Sequence, residues 1–131
     1  MTQPSSKYDL EERTAQFGES VIILCRTIKQ DSICSPIINQ LIRSATSIGA
    51  NYSEANAASS RKDFSNKIFI CKKEAQETRH WLRMLRTALP SLAEPPEPIV
   101  SECQELTLIF QKITSSLRQN TGTLKIDKLK I

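Results

Sequence analysis

The sequence predicts an all-α protein, an antiparallel up-down-up-down four-helix bundle. Apolar residues recur at three- and four-residue spacing in four separate segments, and no segment keeps the two-residue period of a strand. Only 3 glycines and 6 prolines occur in 131 residues, and most of the prolines stand between those segments. With 39% hydrophobic and 24% charged residues, the chain can bury a core as a single domain of residues 1–131. Short connections between the four helices favour the up-down-up-down arrangement.

The first predicted helix spans about residues 10–30. Asp9 is its predicted N-cap, and Glu12 stands at the position of a capping-box partner. One face of the helix is apolar and is formed by Leu10, Phe17, Val21, Leu24, Cys25 and Ile28. The polar stretch 31–35 separates it from the next helix.

The second predicted helix spans about residues 36–58, with Ser35 as N-cap and Pro36 at the first helical position. Its apolar face is formed by Ile38, Leu41, Ile42, Ala45, Ile48, Gly49 and Tyr52. The helix is rich in serine and alanine, and such small residues let a neighbouring helix approach closely. Because they hold a helix only weakly by themselves, packing has to stabilise it.

The third and fourth predicted helices span about residues 61–89 and 98–119. Ser60 and Asp63 form a capping pattern in front of the third helix. The fourth has the alternating four- and three-residue spacing of a bundle seam, in Ile99, Cys103, Leu106, Phe110, Ile113 and Leu117. Residues 120–131 are interpreted as a flexible basic tail, with a strand or a docked arm as alternatives.

The net charge of +4 is concentrated on the third helix. Between Arg61 and Arg86, eight cations stand against three anions, so the rest of the chain is close to neutral. Five of these cations fall within about 60° of one another on a helical wheel. They are Arg61, Lys72, Arg79, Arg83 and Arg86. Guanidinium groups bind phosphate oxygens in a forked geometry, so this cationic stripe predicts binding to nucleic acid.

The same stripe has a simpler interpretation, a solvated helix face whose arginine stems cover the edge of the core. Aromatic residues make up only 5% of the chain, so an aromatic platform that stacks bases is not indicated. If nucleic acid binds, we expect contacts to its backbone with little readout of sequence.

A second set of charged residues predicts ion pairs between the second and third helices. In a tight antiparallel hairpin, residues on facing sides of the two helices come within reach of each other. The predicted sets are Arg43 with Glu74 and Glu77, and Glu54 with Lys67 or Arg61. We interpret them as structural contacts that fix the register of the hairpin.

No catalytic residue, metal site or cofactor is predicted. Paired carboxylates can also serve acid–base chemistry or a di-metal centre, but a di-metal bundle needs Glu-x-x-His on facing helices. The chain has that spacing once, from Glu77 to His80. The four cysteines show no C-x-x-C spacing, and His80 is the only histidine, so a zinc site is not indicated either.

A second apolar strip on the third helix predicts self-association. The main apolar seam of that helix is formed by Phe64, Ile68, Cys71, Ala75, Leu82, Leu85 and Leu89. Ile70, Trp81, Met84 and Ala88 lie away from it. Tryptophan and methionine are enriched at protein interfaces. We therefore predict a homo-oligomer interface here, with the alternative that Trp81 only widens the core face.

The chain is expected to be cytoplasmic and to have no membrane partner. No apolar run approaches the roughly 20 residues of a membrane span. The polar residues 1–9 lack the apolar core of a signal peptide.

Three segments resemble a bacterial four-helix-bundle family named for proteins encoded in intervening sequences of 23S ribosomal RNA genes. The most specific is the run INQLIRSATSIGANYSEA at residues 38–55, followed by KDF at 62–64 and KKEAQET at 72–78. Trp81 and Leu82 also fit, and the resemblance covers about residues 8–117. The family is related to the accessory protein of diversity-generating retroelements.

The resemblance implies a small bundle that forms ring-like homo-oligomers, typically pentamers, and has no catalytic motif. It also implies a structural role for Arg43, Asn51, Glu54, Glu74, Glu77 and Trp81. The retroelement relatives have a basic surface, bind nucleic acid and partner a reverse transcriptase. We therefore expect a non-enzymatic oligomer that binds the backbone of RNA or of an RNA–DNA hybrid. The alternative is a protein-interaction scaffold or accessory subunit, such as a partner of a reverse transcriptase.

Overall fold

The computed structural model describes residues 10–89 and 97–120, and within them it contains helices and no strand. The four helices are α1 (Leu10–Arg26), α2 (Cys34–Asn56), α3 (Arg61–Ala88) and α4 (Glu97–Asn120). None of the described helices is both long and apolar enough to cross a bilayer. Asp9, the predicted tail 120–131 beyond Asn120 and the connection 90–96 lie outside the described residues.

Each helix packs against the next one along the chain, and α1 also contacts α4. The most extensive interface joins α2 and α3. This closed order of neighbours confirms the all-α four-helix bundle. The predicted apolar faces meet in one core, whose fully buried side chains include Val21, Leu41, Ile48, Ile68, Leu85, Leu106 and Phe110.

The first connection differs from the sequence prediction. Helix α1 ends at Arg26 rather than near Gln30. A tighter turn begins directly after Arg26, because both the N–H and the hydroxyl of Thr27 donate to the carbonyl of Leu24. Helix α2 begins at Cys34, ahead of Pro36.

The predicted N-cap at Ser35 is wrong, because Asp31 supplies the cap. Its carboxylate accepts hydrogen bonds from the N–H groups of Ile33 and Cys34 at 3.0 and 2.8 Å. The N–H of Ser35 already donates to the carbonyl of Asp31, and its hydroxyl donates to the side chain of Gln30. A carboxylate satisfies two free helix donors at once, so the helix starts earlier than the serine predicts.

Helix α3 begins as the sequence predicts, with the hydroxyl of Ser60 accepting from the N–H of Asp63 at 3.0 Å. On the other side of α2, small residues allow α1 to approach closely. A Cβ added at Gly49 would lie 3.3 Å from the carbonyl carbon of Thr14. The backbones of α1 and α2 are therefore in close contact at Gly49.

Candidate nucleic-acid interface

The five residues of the predicted cationic stripe all lie on α3, but they do not share one environment. Arg79, Arg83 and Arg86 border one cavity between α3 and α4, whereas Arg61 borders another cavity beside Phe64 and Leu117. The ammonium group of Lys72 lies 5.7 Å from the centre of the Phe69 ring. Only three of the five predicted residues are thus brought to one site.

We call this site the cationic groove, and it is a cavity of about 210 Å³. Helix α3 contributes Arg79, Leu82, Arg83 and Arg86, and α4 contributes Val100, Cys103 and Gln104. The three arginines are exposed, whereas Leu82 and Cys103 are only 4% and 1% exposed. The groove therefore has a cationic rim above an apolar floor.

The arginines of the cationic groove have no salt-bridge partner among the described residues. The nearby carboxylates of α4 are engaged on its other side, where Arg13 of α1 contacts Glu102 and Glu105, each at 2.6 Å. The hydrogen bond to Glu102, reinforced by Glu105, raises the pKa of the Arg13 guanidinium above its usual range. Helix α4 thus turns these negative charges to α1 and an uncharged face to the arginines.

The opposite side of α3 holds the predicted ion-pair residues, and here the cations have partners. The Arg43 guanidinium lies 3.3 Å from a carboxylate oxygen of Glu74 and also contacts Glu77. The sequence predicts that Glu54 pairs with Lys67 or Arg61, and in the structure the Lys67 ammonium lies 2.6 Å from the Glu54 carboxylate. We call these contacts the α2/α3 ion pairs, and they connect the two helices along much of the hairpin.

Glu74 is the buried member of the α2/α3 ion pairs, because it is only 6% exposed. Burial acts to lower the pKa of the Arg43 guanidinium, but the hydrogen bonds and charges of Glu74 and Glu77 outweigh it and raise that pKa. Beside them, the buried hydroxyl of Thr78 donates to Ser44 at 2.9 Å or to the carbonyl of Glu74 at 2.8 Å. This side of α3 is therefore internally satisfied.

The predicted oligomer strip lies partly against the core. Trp81 and Ala88 pack on the core cluster, while Ile70 and Met84 are half-buried without belonging to it. The ring of His80 makes an edge contact with Trp81, with ring centres 4.9 Å apart. Part of this strip is therefore covered within one chain, and Ile33, 66% exposed, lies near the same end of the helix pair.

No group of three or more histidine, cysteine or acidic side chains converges to hold a metal in the part of the chain that the structure describes. The four cysteines are free and buried. Burial raises the pKa of Cys71 to about 12, and that of Cys103 to about 11 against the opposing charge of Arg79. These thiols are protonated at neutral pH, and a thiolate is the form that nucleophilic chemistry needs.

The sequence reasoning missed the α4 side of the cationic groove. Leu82 and Cys103 were placed on apolar seams, but nothing in the sequence singled out Val100 or Gln104. It also missed Phe69, whose ring centre lies 5.1 Å from the guanidinium carbon of Arg118. No periodic signal could have found these contacts, since they join residues of different helices.

Residues 7–119 match the family profile described as 23S rRNA-intervening sequence protein. The chain belongs to the 23S rRNA-intervening sequence protein family. A crystal structure from Bacteroides thetaiotaomicron VPI-5482 is similar to this member of the family, with a TM-score of 0.67 and 31% sequence identity. The similarity covers 79% of this chain and 96% of that one, which is described as a protein with unknown function from the S23 ribosomal protein family. No curated protein matches the chain.

Proposed function

We propose that this member of the family is a non-enzymatic, oligomeric bundle that binds nucleic acid, RNA or an RNA–DNA hybrid, by its phosphate backbone. One observation carries the proposal: three exposed arginines converge on the cationic groove without a carboxylate partner among the described residues. Unpaired guanidinium groups in a row suit a polyanion, because each can form two parallel hydrogen bonds to a phosphate.

The proposal is tested by reversing the charge of the groove. We expect the triple variant Arg79→Glu, Arg83→Glu, Arg86→Glu to lose affinity for RNA, as measured by fluorescence anisotropy. A plot of log affinity against log salt has a negative slope. This slope should be steeper for the natural protein than for the triple variant by about 2 to 3, the value expected for three phosphate contacts.

A matched control separates the groove from net charge. Arg26, Lys29 and Lys112 are exposed and lie outside the groove, so changing all three to glutamate alters the net charge by the same amount. This control should retain most of the affinity. Equal affinity in both triple variants, or unchanged binding in the groove variant, would contradict the assignment of the site.

The oligomeric part of the proposal concerns the end of the α2/α3 pair. Ile33 is 66% exposed, and the thiol of its neighbour Cys34 contacts the carbonyl of Ala88 at 3.9 Å. This places exposed Ile33 near the C-terminal end of the strip that includes half-buried Met84. An apolar surface of this kind favours association with a second copy of the chain.

Light scattering tests the association. We expect the natural protein to be larger than a monomer, with the pentamer implied by the resemblance as the specific expectation. The double variant Ile33→Glu, Met84→Glu should dissociate, whereas Leu108→Glu, a change at an equally exposed residue of α4, should not. A monomeric natural protein would refute this part of the proposal.

A binding experiment also distinguishes the nucleic-acid proposal from its alternative, in which the bundle binds a protein partner such as a reverse transcriptase. The exposed isoleucines and Leu108 favour a protein partner, since 64% of Ile23 and 63% of Leu108 remain accessible. A complex that survives nuclease treatment, contains no nucleic acid and persists in the groove triple variant would support it over the nucleic-acid proposal.

A further inference from the structure

We infer that the cationic groove accepts an unstacked base between its arginines, so that the nucleic acid it binds is single-stranded. This inference rests on the proposed function and deepens it by naming the class of ligand, a single strand rather than a duplex such as an RNA–DNA hybrid. It departs from the sequence expectation of backbone contacts alone, because the structure shows a cavity where the sequence shows only a stripe of charge.

The shape of the cationic groove suits a base. A row of arginines on a convex helix face encloses no space for an unstacked base, whereas the cationic groove has a cavity behind its charged rim. Its floor is formed by buried Leu82 and Cys103 together with half-buried Val100. An apolar cavity of about 150 Å³ is known to hold a benzene ring, so about 210 Å³ suffices for one base-sized ring.

The side chains that line the cationic groove also suit the chemistry of a base. A base has two apolar faces and a polar edge. The floor offers the apolar side chains of Leu82 and Val100 to one face, and guanidinium planes stack on bases as aromatic rings do. The exposed amide of Gln104 has both donors and acceptors, so it suits the edge of a base.

The positions of the arginines allow phosphate and base contacts at the same time. Arg79 and Arg86 are two helical turns apart, roughly 10 Å along the axis at 1.5 Å per residue. Arg83 lies between them on the same rim. The outer guanidinium groups can therefore hold the phosphates on either side of a nucleotide whose base enters the cavity.

The other described cavities lack a row of cations, and the one beside Phe64 and Leu117 contains Arg61 alone. The cavity between α1 and α2, beside Gly18, Ile22 and Gly49, is lined by no cation. The one beside Arg13 also contains Glu102, which neutralises it. Since a duplex keeps its bases stacked and paired, only a single strand, loop or end can supply the base that this groove fits.

The decisive measurement compares strands with and without bases on the full-length protein. Fluorescence anisotropy would be recorded with a labelled single-stranded RNA of about eight nucleotides, a length within the range of single-strand binding sites. A stable abasic strand with the same number of phosphates and the corresponding duplex are the comparison ligands. We expect the natural strand to bind about tenfold more tightly than either, because only this strand offers an unstacked base to the groove.

Gln104→Ala should lower this preference for the base-containing strand, because it removes the amide that suits the edge of the base. Gln111→Ala is the matched control, because Gln111 is an exposed glutamine two turns further along the same helix and outside the cavity. The control should keep the full preference.

The outcomes separate the inference from the proposed function. If the abasic strand or the duplex binds the natural protein as tightly as the base-containing strand, no base enters the groove and the inference is wrong. The backbone proposal then stands as long as binding depends on the three arginines. If no ligand binds, or if the groove triple variant binds all of them equally well, the proposed function itself fails.

Discussion

The two sides of α3 carry similar charged side chains in opposite situations. Towards α2, the α2/α3 ion pairs give each of their cations a carboxylate, and Glu74 among them is only 6% exposed. Towards α4, the three arginines of the cationic groove have no such partner in the described part of the chain. The first side stabilises the hairpin, and the second leaves its charge available to a ligand.

The difference shows that the number of charges on a helix does not reveal their role. Helix α4 carries Glu102 and Glu105 within a turn of the groove, yet both contact Arg13 of α1. If either carboxylate faced α3, it would pair with the arginines, and the cationic groove would resemble the α2/α3 ion pairs. What decides the role of the arginines is the rotation of the neighbouring helix.

Adding a carboxylate to the cationic groove should produce the largest effect on RNA binding. Gln104→Glu places a carboxylate on the wall of the cationic groove, where it attracts the arginines and repels phosphate. We expect the affinity for RNA to fall at least about tenfold, since like charges in an interface oppose binding strongly. The free energy of unfolding should change by less than about 1 kcal/mol, as for other exposed ion pairs.

Gln111→Glu controls for the added charge in that experiment, because Gln111 lies outside the groove on the same helix. Its affinity should stay close to that of the natural protein. If Gln104→Glu binds RNA as well as Gln111→Glu does, the groove is not the binding surface.

Removing one arginine from each side should have opposite consequences. Arg43→Ala leaves buried Glu74 without its partner and should lower the free energy of unfolding by about 1–2 kcal/mol. Arg83→Ala removes an exposed side chain and should change it by less than about 0.5 kcal/mol, while it weakens RNA binding. Urea denaturation and anisotropy on both variants check this. A large loss of stability in Arg83→Ala would show that its side chain is structural.

Two buried threonines test a smaller difference in the free energy of unfolding between the same two sides. The hydroxyl of Thr78 reaches across to Ser44 of α2, so Thr78→Val should lower the free energy of unfolding by about 1 kcal/mol. Thr107 donates only within α4, to the carbonyl of Cys103, so Thr107→Val should have a smaller effect. Denaturant titration of both variants provides the measurement. Equal losses would indicate that the bond between helices adds nothing.

The buried thiols should give a difference in stability that appears only at alkaline pH. The pKa of Cys71 is raised to about 12 and that of Cys103 to about 11, from an ordinary value of 9.0. Because the folded protein holds these protons more tightly than the unfolded chain, their stabilising contribution is complete below pH 9 and is lost as the pH rises through 11 and 12.

Alkaline titration monitored by circular dichroism checks that loss, and Cys71→Ala should flatten it between pH 9 and 12. An unchanged alkaline transition in Cys71→Ala would contradict the assignment of this loss of stability to the buried thiol.

Much of the fold could be predicted from the sequence because helix formation depends on local spacing. The apolar seam of α4 and the cap at Ser60 were both visible in the residues themselves. The start of α2 was not, because Asp31 and Ser35 are both good capping residues and the sequence does not rank them. The carboxylate of Asp31 prevails by accepting two N–H groups.

The sequence by itself determined that four helices form and that the cations of α3 share one face, because a residue's angle on a helix follows from its number alone. Only the tertiary structure decided which of those cations meet at one cavity and which remain apart. It also decided that Gln104 and Val100 face the arginines while Glu102 and Glu105 face Arg13. The rotation of α4 that produces this difference is set by packing in the core, where contacts between distant residues outweigh any local preference.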